Sequence, residues 1–440
     1  MAVLENKEMP RTLLGIQGLS LFNILLANII LGWLTMRTRL GWNWDVPREL
    51  TRAYLLFGAV IVVSFVRLAM DFGHFTVEST MGPSNMSFGS ALSEYLINSF
   101  KWTVPGILLL DGCRTERMQK QALFVIVGLY VLLGVLIIRY MSSHLGALVS
   151  GGLDHDSARI LHKRVGYFRV SLSMMLAGGS WAVLALFPLV RTRIRQFLLL
   201  VVSGIVLVGQ ALTGGRTGYV VWGVIGGVFG VLKYRKFLWL IPAVGIGVVV
   251  FLPGVTNRLL TGLGGSPDGD EAEVSKEVFT AGRSLVWPVV IKEISQSPLI
   301  GYGRRAYDRR NLQEIVMDQS GDDAFGHPHC AYLEFLLDNG ILGLLAVVPL
   351  FMLVVRSALF LFLANDNPVH AAAGGVCVAL VCSFLIASLT AQTLYPVENV
   401  AGMWASIGLA LRVAIDRRRG AVNTEATEVD FESELKESAT

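Results

Sequence analysis

Charge is scarce in this chain of 440 residues: Asp, Glu, Lys and Arg make up 16% of it, against 53% hydrophobic residues and a mean hydropathy of +0.58. A soluble domain needs a more polar surface, so a soluble globular enzyme is excluded. Cysteine is rare as well. The four present are Cys113 in a polar connection, Cys330 in a loop, and Cys377 and Cys382 in one apolar run, from which no disulfide framework follows. The formal net charge is only +4, and nucleic acid is not implied. No repeat with a period of about 20 to 50 residues is evident. What the chain has in abundance is apolar runs of roughly 17 to 24 residues, the length an α-helix needs to cross about 30 Å of hydrocarbon. It therefore reads as an all-α, polytopic membrane protein.

Hydropathy predicts spans near 13–35, 51–70, 94–111, 121–138, 170–190, 197–213, 217–232, 237–254, 341–364, 370–390 and 399–415, about eleven or twelve in all. The first, lacking a small-residue cleavage site, is expected to be a spanning helix rather than a removed signal. The third is the weakest, since it carries Glu94, Lys101 and Pro105. Short loops rich in Lys and Arg stay in the cytoplasm. Four qualify, with Arg37, Arg39, Arg48 and Arg52; Arg114, Arg117 and Lys120; Arg191, Arg193 and Arg195; and Lys233, Arg235 and Lys236. Arg417, Arg418 and Arg419 agree with them, whereas residues 71–93 contain no Lys or Arg and suit the outer face. One loop breaks the rule: 139–169 should be outside, yet it carries Arg139, Arg159, Lys163, Arg164 and Arg169.

Four regions follow: an N-terminal transmembrane bundle over 1–254, a large extracytoplasmic loop over 255–340, C-terminal transmembrane helices over 341–415, and a disordered cytoplasmic tail over 416–440. The loop opens with Gly264, Gly265, Pro267 and Gly269 among Asp268, Asp270, Glu271, Glu273 and Glu277, a composition expected to give a mobile acidic linker. Ser284 then caps a predicted helix whose Val286, Val289, Val290 and Ile294 share one face, expected to lie on the membrane surface. A shorter helix over 331–338 should stop at Asn339-Gly340, where the glycine adopts a left-handed cap.

Three residues stand out chemically. Arg216 lies in Leu212-Thr-Gly-Gly-Arg-Thr-Gly218, a tight turn between two spans, on the face where positive charge is disfavoured. A guanidinium close to hydrocarbon is usually offset by an anion, and the flanking backbone N–H groups, that of Gly215 among them, suit phosphate. An arginine snorkelling to water at a helix end is the structural alternative. Arg283 stands immediately before the loop helix, in Ala281-Gly-Arg-Ser284, where the helix dipole adds to its charge; the alternative is a solvated loop arginine. His329, in His327-Pro-His-Cys330, offers a neutral imidazole able to accept a hydroxyl proton. Its alternatives are a backbone-bonded loop histidine, or a metal site with His327 and Cys330 that lacks a convincing fourth ligand.

Taken in order, the first of these blocks, then Gly282-Arg-Ser-Leu-Val-Trp287 and Ser297-Pro-Leu-Ile-Gly-Tyr-Gly303, then His327-Pro-His-Cys-Ala-Tyr-Leu-Glu334 with Asn339-Gly-Ile-Leu-Gly-Leu344, resemble the O-antigen ligase and polymerase family, which includes protein O-oligosaccharyltransferases. The resemblance covers about residues 200–350 by motif. It implies a GT-C-like, multi-spanning glycosyltransferase of the bacterial inner membrane, working at the periplasmic face in cell-surface polysaccharide biosynthesis, whether O-antigen and lipopolysaccharide or exopolysaccharide. The implied donor is a glycan on undecaprenyl diphosphate, and the implied acceptor a lipid A core, a second glycan or a protein. No cofactor or metal is implied; membrane lipids and other polysaccharide assembly proteins are the further partners.

By the same resemblance, Arg216, Arg283 and His329 match the family's turn arginine, loop arginine and loop histidine. Cys330 stands where relatives have Asn, and Arg304-Arg305 where they more often have small residues. Arg304, Arg305, His327 and, in the basic 139–169 loop, Arg164 are further candidate substrate contacts. The expected chemistry is metal-independent and inverting, with arginines clamping the diphosphate and the histidine as base. A rival class, a secondary transporter for an anionic solute, would show two related halves and polar groups at mid-membrane; here the polar residues cluster at one face. A non-catalytic scaffold is the third reading.

Overall fold

The computed structural model describes residues 20–72, 76–79, 82–150, 154–238, 283–320, 327–390 and 393–437, together with 12–13, 16–17 and the single positions 246, 253 and 256. Apart from two two-stranded antiparallel hairpins, Thr12–Leu13 with Ile16–Gln17 and Thr76–Ser79 with Gly82–Asn85, these residues are helical or irregular. Among the described residues, seven helices are long and apolar enough to cross a membrane. They are α1 (Leu21–Arg39), α2 (Arg48–Met70), α4 (Glu116–Tyr140), α6 (Arg169–Leu184, running on to Leu189), α7 (Arg193–Leu212), α12 (Ala331–Phe362) and α13 (Pro368–Ala387). Between them lie α3 (Val104–Gly112), α5 (Asp154–Arg164), the 17-residue apolar α8 (Arg216–Leu232), and α9 (Arg283–Gln296), α10 (Ala306–Arg309) and α11 (Leu312–Ser320) of the large loop. The chain ends in α14 (Ala401–Glu437).

Several boundaries depart from expectation. The first span starts at Leu21, eight residues late, because Thr12–Leu13 are extended and pair with Ile16–Gln17, and the Ser20 hydroxyl caps the helix by accepting from the Asn23 N–H at 3.2 Å. The third is not one span. Phe88–Ala91, a π-helical Leu92–Ile97 and Asn98–Lys101 precede a break at Trp102-Thr103, after which α3 restarts at Val104 with Pro105 in its first turn, where a missing N–H leaves no helical bond unmade. The expected span over 237–254 and the acidic linker lie outside the described residues. The tail, expected to be disordered, has helical backbone to Glu437: its Ala, Glu, Leu and Lys are good helix formers, and no Pro interrupts the hydrogen bonding begun in the span.

α6 and α13 are the central helices, with 72% and 78% of their apolar windows buried, whereas α1 buries 11% and stands at the periphery. Helices from both sides of the large loop share one apolar core: Leu172 and Leu176 of α6, Val221 of α8, Val354 of α12, Val376 of α13 and Trp404 of α14 all belong to it. At one end of the bundle the basic loops meet carboxylates. Asp111, fully buried, takes Arg37 at 2.8 Å and Arg114 at 2.9 Å, and Asp45 takes Arg412 at 2.8 Å.

The large loop has a small core of its own, formed by Val286, Val290, Ala306, Tyr307, Leu312, Val316 and Leu337. The apolar face of α9, expected on the membrane surface, instead packs within the loop: Val286 and Val290 are buried in a cluster with residues of α10, α11 and α12, which removes their apolar area from water. Gly340 interrupts α12 with φ 61° and ψ −170°, which frees backbone groups on both sides. The segment 297–303 takes them up. Tyr302 and Gly303 N–H donate to Leu337 O (2.9 Å) and Asp338 O (2.6 Å), while Ile341 and Leu342 N–H donate to Pro298 O (2.8 Å) and Leu299 O (3.1 Å). A Cβ on residue 340 would overlap Leu299, so glycine is required there both by φ and by space.

Candidate functional site

Arg216 is the first residue of α8, partly exposed. The turn before it is held from within and from α6. Gly214 takes φ +64°, the Thr213 hydroxyl accepts the Gly215 N–H at 3.2 Å, and the Ser173 hydroxyl donates to Gly215 O at 2.8 Å. A Cβ at Gly215 or Gly218 would run into Ser173. The glycines therefore let the turn press onto α6, and the arginine is presented from a rigid base. Beside it, the Thr217 and Thr390 hydroxyls meet at 3.0 Å.

The loop supplies the second element. Arg283 is the first described residue of α9, so Ser284 lies within the helix and not at its cap, and the Nε of Arg283 is buried without a hydrogen-bond partner. One turn on, Trp287 Nε1 donates to Pro328 O at 2.9 Å, fastening the His-Pro-His segment to this helix. His329 adopts φ 49°. Its N–H donates to His327 Nδ1 at 3.3 Å, and the two rings meet edge to face with centroids 3.9 Å apart. Cys330, buried, is the extended cap residue before α12, and the Ala331 N–H donates to Ser388 O at 2.9 Å at the end of α13.

The electrostatics join these pieces. Burial lowers the pKa of Arg283; the Cys330 thiol acts in the opposite sense, and the Arg216 charge adds to the lowering. Burial, and after it Arg283, holds the His329 imidazole down to about 4. Burial, then His329 and Arg305, holds His327 down to about 3. Both imidazoles are thus neutral at pH 7. Three separated segments thus form a chain of electrostatic neighbours, Arg216 acting on Arg283, Arg283 on His329 and His329 on His327. Two guanidinium groups followed by neutral imidazoles can hold an anion and accept a proton.

Arg304 and Arg305 face a different environment. Arg304 is 5% exposed, its guanidinium 3.3 Å from the centre of the Tyr395 ring, its Nε and Nη1 without hydrogen-bond partners. Arg305 pairs with Asp308 at 2.7 Å. Burial opposes its charge, but Asp308, Tyr95, Glu334 and Asp338 outweigh burial and raise its pKa. Both arginines are answered from inside the protein. Arg164 is exposed at the end of α5. The start of α6 five residues later borders the Arg216 turn, since Arg169 O lies 3.5 Å from a Cβ built on Gly215. The basic 139–169 stretch and the turn therefore occupy the same end of the bundle.

Some contributors escaped sequence reasoning. Glu334 and Asp338, four apart on α12, are 7% and 1% exposed. Asp338 accepts the Ala306 N–H at 2.9 Å and the Tyr395 hydroxyl at 3.2 Å, and Tyr395 also meets Ser64 at 2.8 Å. Two carboxylates on one face of an apolar helix are a signal readable without coordinates. Arg67 has no such signature; it donates through Nη2 to Gly301 O at 2.7 Å and ties α2 to the loop. Among the described residues there is no cluster of three or more His, Cys, Asp or Glu side chains placed to hold a metal ion.

The comparison with curated proteins gave no match. The family comparison did: residues 198–348, which contain Arg216, Arg283 and His329 and reach into α12, match the family described as O-antigen ligase, and over that stretch this membrane protein is O-antigen ligase-like.

Proposed function

We propose that the protein is a glycosyltransferase of the bacterial inner membrane that transfers or polymerises an undecaprenyl diphosphate-linked glycan at the periplasmic face. One observation supports the reading: Arg216, from the turn before α8, is close enough to Arg283 of α9 for its charge to act there, and Arg283 in turn acts on the neutral His329 before α12. Arg216 and Arg283 hold the diphosphate, and their charge stabilises the negative charge that grows on it as it leaves, a contribution of several kcal/mol from preorganised donors. His329 takes the proton of the acceptor hydroxyl as the oxygen attacks the anomeric carbon. The new bond joins acceptor oxygen to anomeric carbon, the bond from that carbon to the phosphate oxygen breaks, and undecaprenyl diphosphate departs with the electron pair. Attack from the face opposite the leaving group inverts the linkage. Fixed arginine charge serves where other transferases use a divalent metal.

The test is reconstitution in liposomes with lipid-linked repeat units. Lengthening of the repeats without an added acceptor marks a polymerase. Transfer only after a lipid A core or a protein is added marks a ligase or a protein O-oligosaccharyltransferase. Full transfer by Arg216→Ala and His329→Ala variants that insert normally would overturn the reading.

A further inference from the structure

A residue other than glycine seldom adopts the left-handed backbone region, and it stays there only when its surroundings over-determine it. Around His329, whose φ is 49°, they do. The carbonyl of Pro328 is held by Trp287 Nε1 at 2.9 Å, and the Pro328 ring restricts its own φ. The Ala331 N–H is held by Ser388 O at 2.9 Å. Between these two anchors the His329 N–H is turned back onto the Nδ1 of His327, two residues earlier, at 3.3 Å. A side-chain acceptor for the N–H two residues on is the geometry by which Asn and Asp close an Asx turn. Here an imidazole does the same. Accepting at Nδ1 leaves the ring proton on Nε2, so His327 works in its neutral form.

We infer that His327 and Trp287 are positioning residues: together they hold the 327–331 segment closed, so that the His329 ring stands at a fixed place beside Arg283. The inference rests on the reading of His329 as the base. It assigns His327 the turn-closing bond rather than a contact with substrate. A base displaced by about 1 Å can lose about a hundredfold in rate, so the hold bears on turnover, while donor binding stays with Arg216 and Arg283.

The experiment compares His327→Asn, His327→Leu and Trp287→Phe in the full chain, reconstituted with a lipid-linked oligosaccharide as donor. Asparagine can close the same turn through its side-chain oxygen; leucine cannot. His327→Asn is expected to keep kcat within about threefold, and His327→Leu to lose at least about thirtyfold in kcat with KM for the donor changed less than about twofold. Trp287→Phe is expected to lose about tenfold in kcat. If His327→Asn is as inactive as His327→Leu, or His327→Leu is fully active, the positioning role of His327 is overturned; an unchanged Trp287→Phe overturns that of Trp287. Hydrogen exchange over 327–331 provides a readout independent of catalysis. It should quicken in His327→Leu and Trp287→Phe but not in His327→Asn, and equal exchange in all of them refutes the hold. His329→Ala, measured alongside, separates the two failures: full activity there refutes the base assignment, whatever the exchange data show.

Discussion

Acidification distinguishes the His329 environment from that of an ordinary surface histidine. An imidazole with the usual pKa of about 6.5 is about 9% neutral at pH 5.5, whereas one held down to about 4 is about 97% neutral. If His329 is the base, kcat/KM for the lipid-linked donor, which reports the free enzyme, should change by less than about 10% between pH 7.5 and 5.5 and halve only near pH 4. The assay is the initial rate of glycan transfer in liposomes at limiting donor. Arg283→Gln sharpens it: removing that charge moves the midpoint upward, yet short of 6.5, because burial is the larger cause. In the complex the bound diphosphate opposes the field of Arg283, so the acid limb of kcat should lie at higher pH than that of kcat/KM. Stability follows the same linkage. The folded pKa is depressed, so between about 6.5 and 4 the unfolded chain binds more protons, and the contribution present above about 6.5 is lost as the pH falls through that window. A fall of kcat/KM to about a tenth between pH 7.5 and 5.5, centred near 6.5, would refute the buried, arginine-facing histidine.

Three further outcomes are expected. Arg216→Ala should lower kcat/KM by about a hundredfold or more with normal membrane insertion, and Arg216→Lys should recover only part, since a single ammonium cannot replace the planar fork. Gly340→Ala should lower the thermal unfolding midpoint by the equivalent of about 2 kcal/mol or more, because φ is 61° there and a Cβ meets Leu299. Arg304→Met should cost about 3 kcal/mol, leaving Glu334 and Asp338 buried with less opposing charge; adding Glu334→Gln should restore part of it, and thermal melts of the single and double variants check the coupling.

Periodicity and charge made the class of fold readable, because spanning helices must satisfy their backbone internally and advertise themselves by length. They were silent where local chemistry overrode hydropathy. Pro105 and the Trp102-Thr103 break divide the third span, and α14 continues past its apolar part into the polar tail. At the site, Arg216, Arg283 and His329 were legible as rare polar groups beside glycine turns and helix starts. Arg304 and Arg305 were not assignable, because whether an arginine faces substrate or a buried carboxylate depends on Glu334, Asp338 and Tyr395, which come from elsewhere in the chain. Trp287 was hidden for a different reason: a tryptophan on an apolar helix reads as packing until its N–H is seen on Pro328.

The broken helix explains why the motifs around the site occur together. A continuous α12 would leave the Tyr302 and Gly303 N–H groups and the Pro298 and Leu299 carbonyls without their present partners, in the segment that Arg67 holds through Gly301 O. Opening the helix at Gly340 exposes carbonyls at 337 and 338 and N–H groups at 341 and 342, and the 297–303 strip satisfies all four. That strip continues into Arg304 and Arg305, whose charges meet Glu334 and Asp338 on the other side of the break. The loop helix bearing Arg283 and the helix that follows His329 are thereby fixed to each other and to α2. Arg216 comes from a turn fastened to α6 through Ser173. An anion held by Arg216 and Arg283 would bridge those two parts, so the backbone break at Gly340 and the buried ion cluster belong to the support of the pocket even though neither faces it.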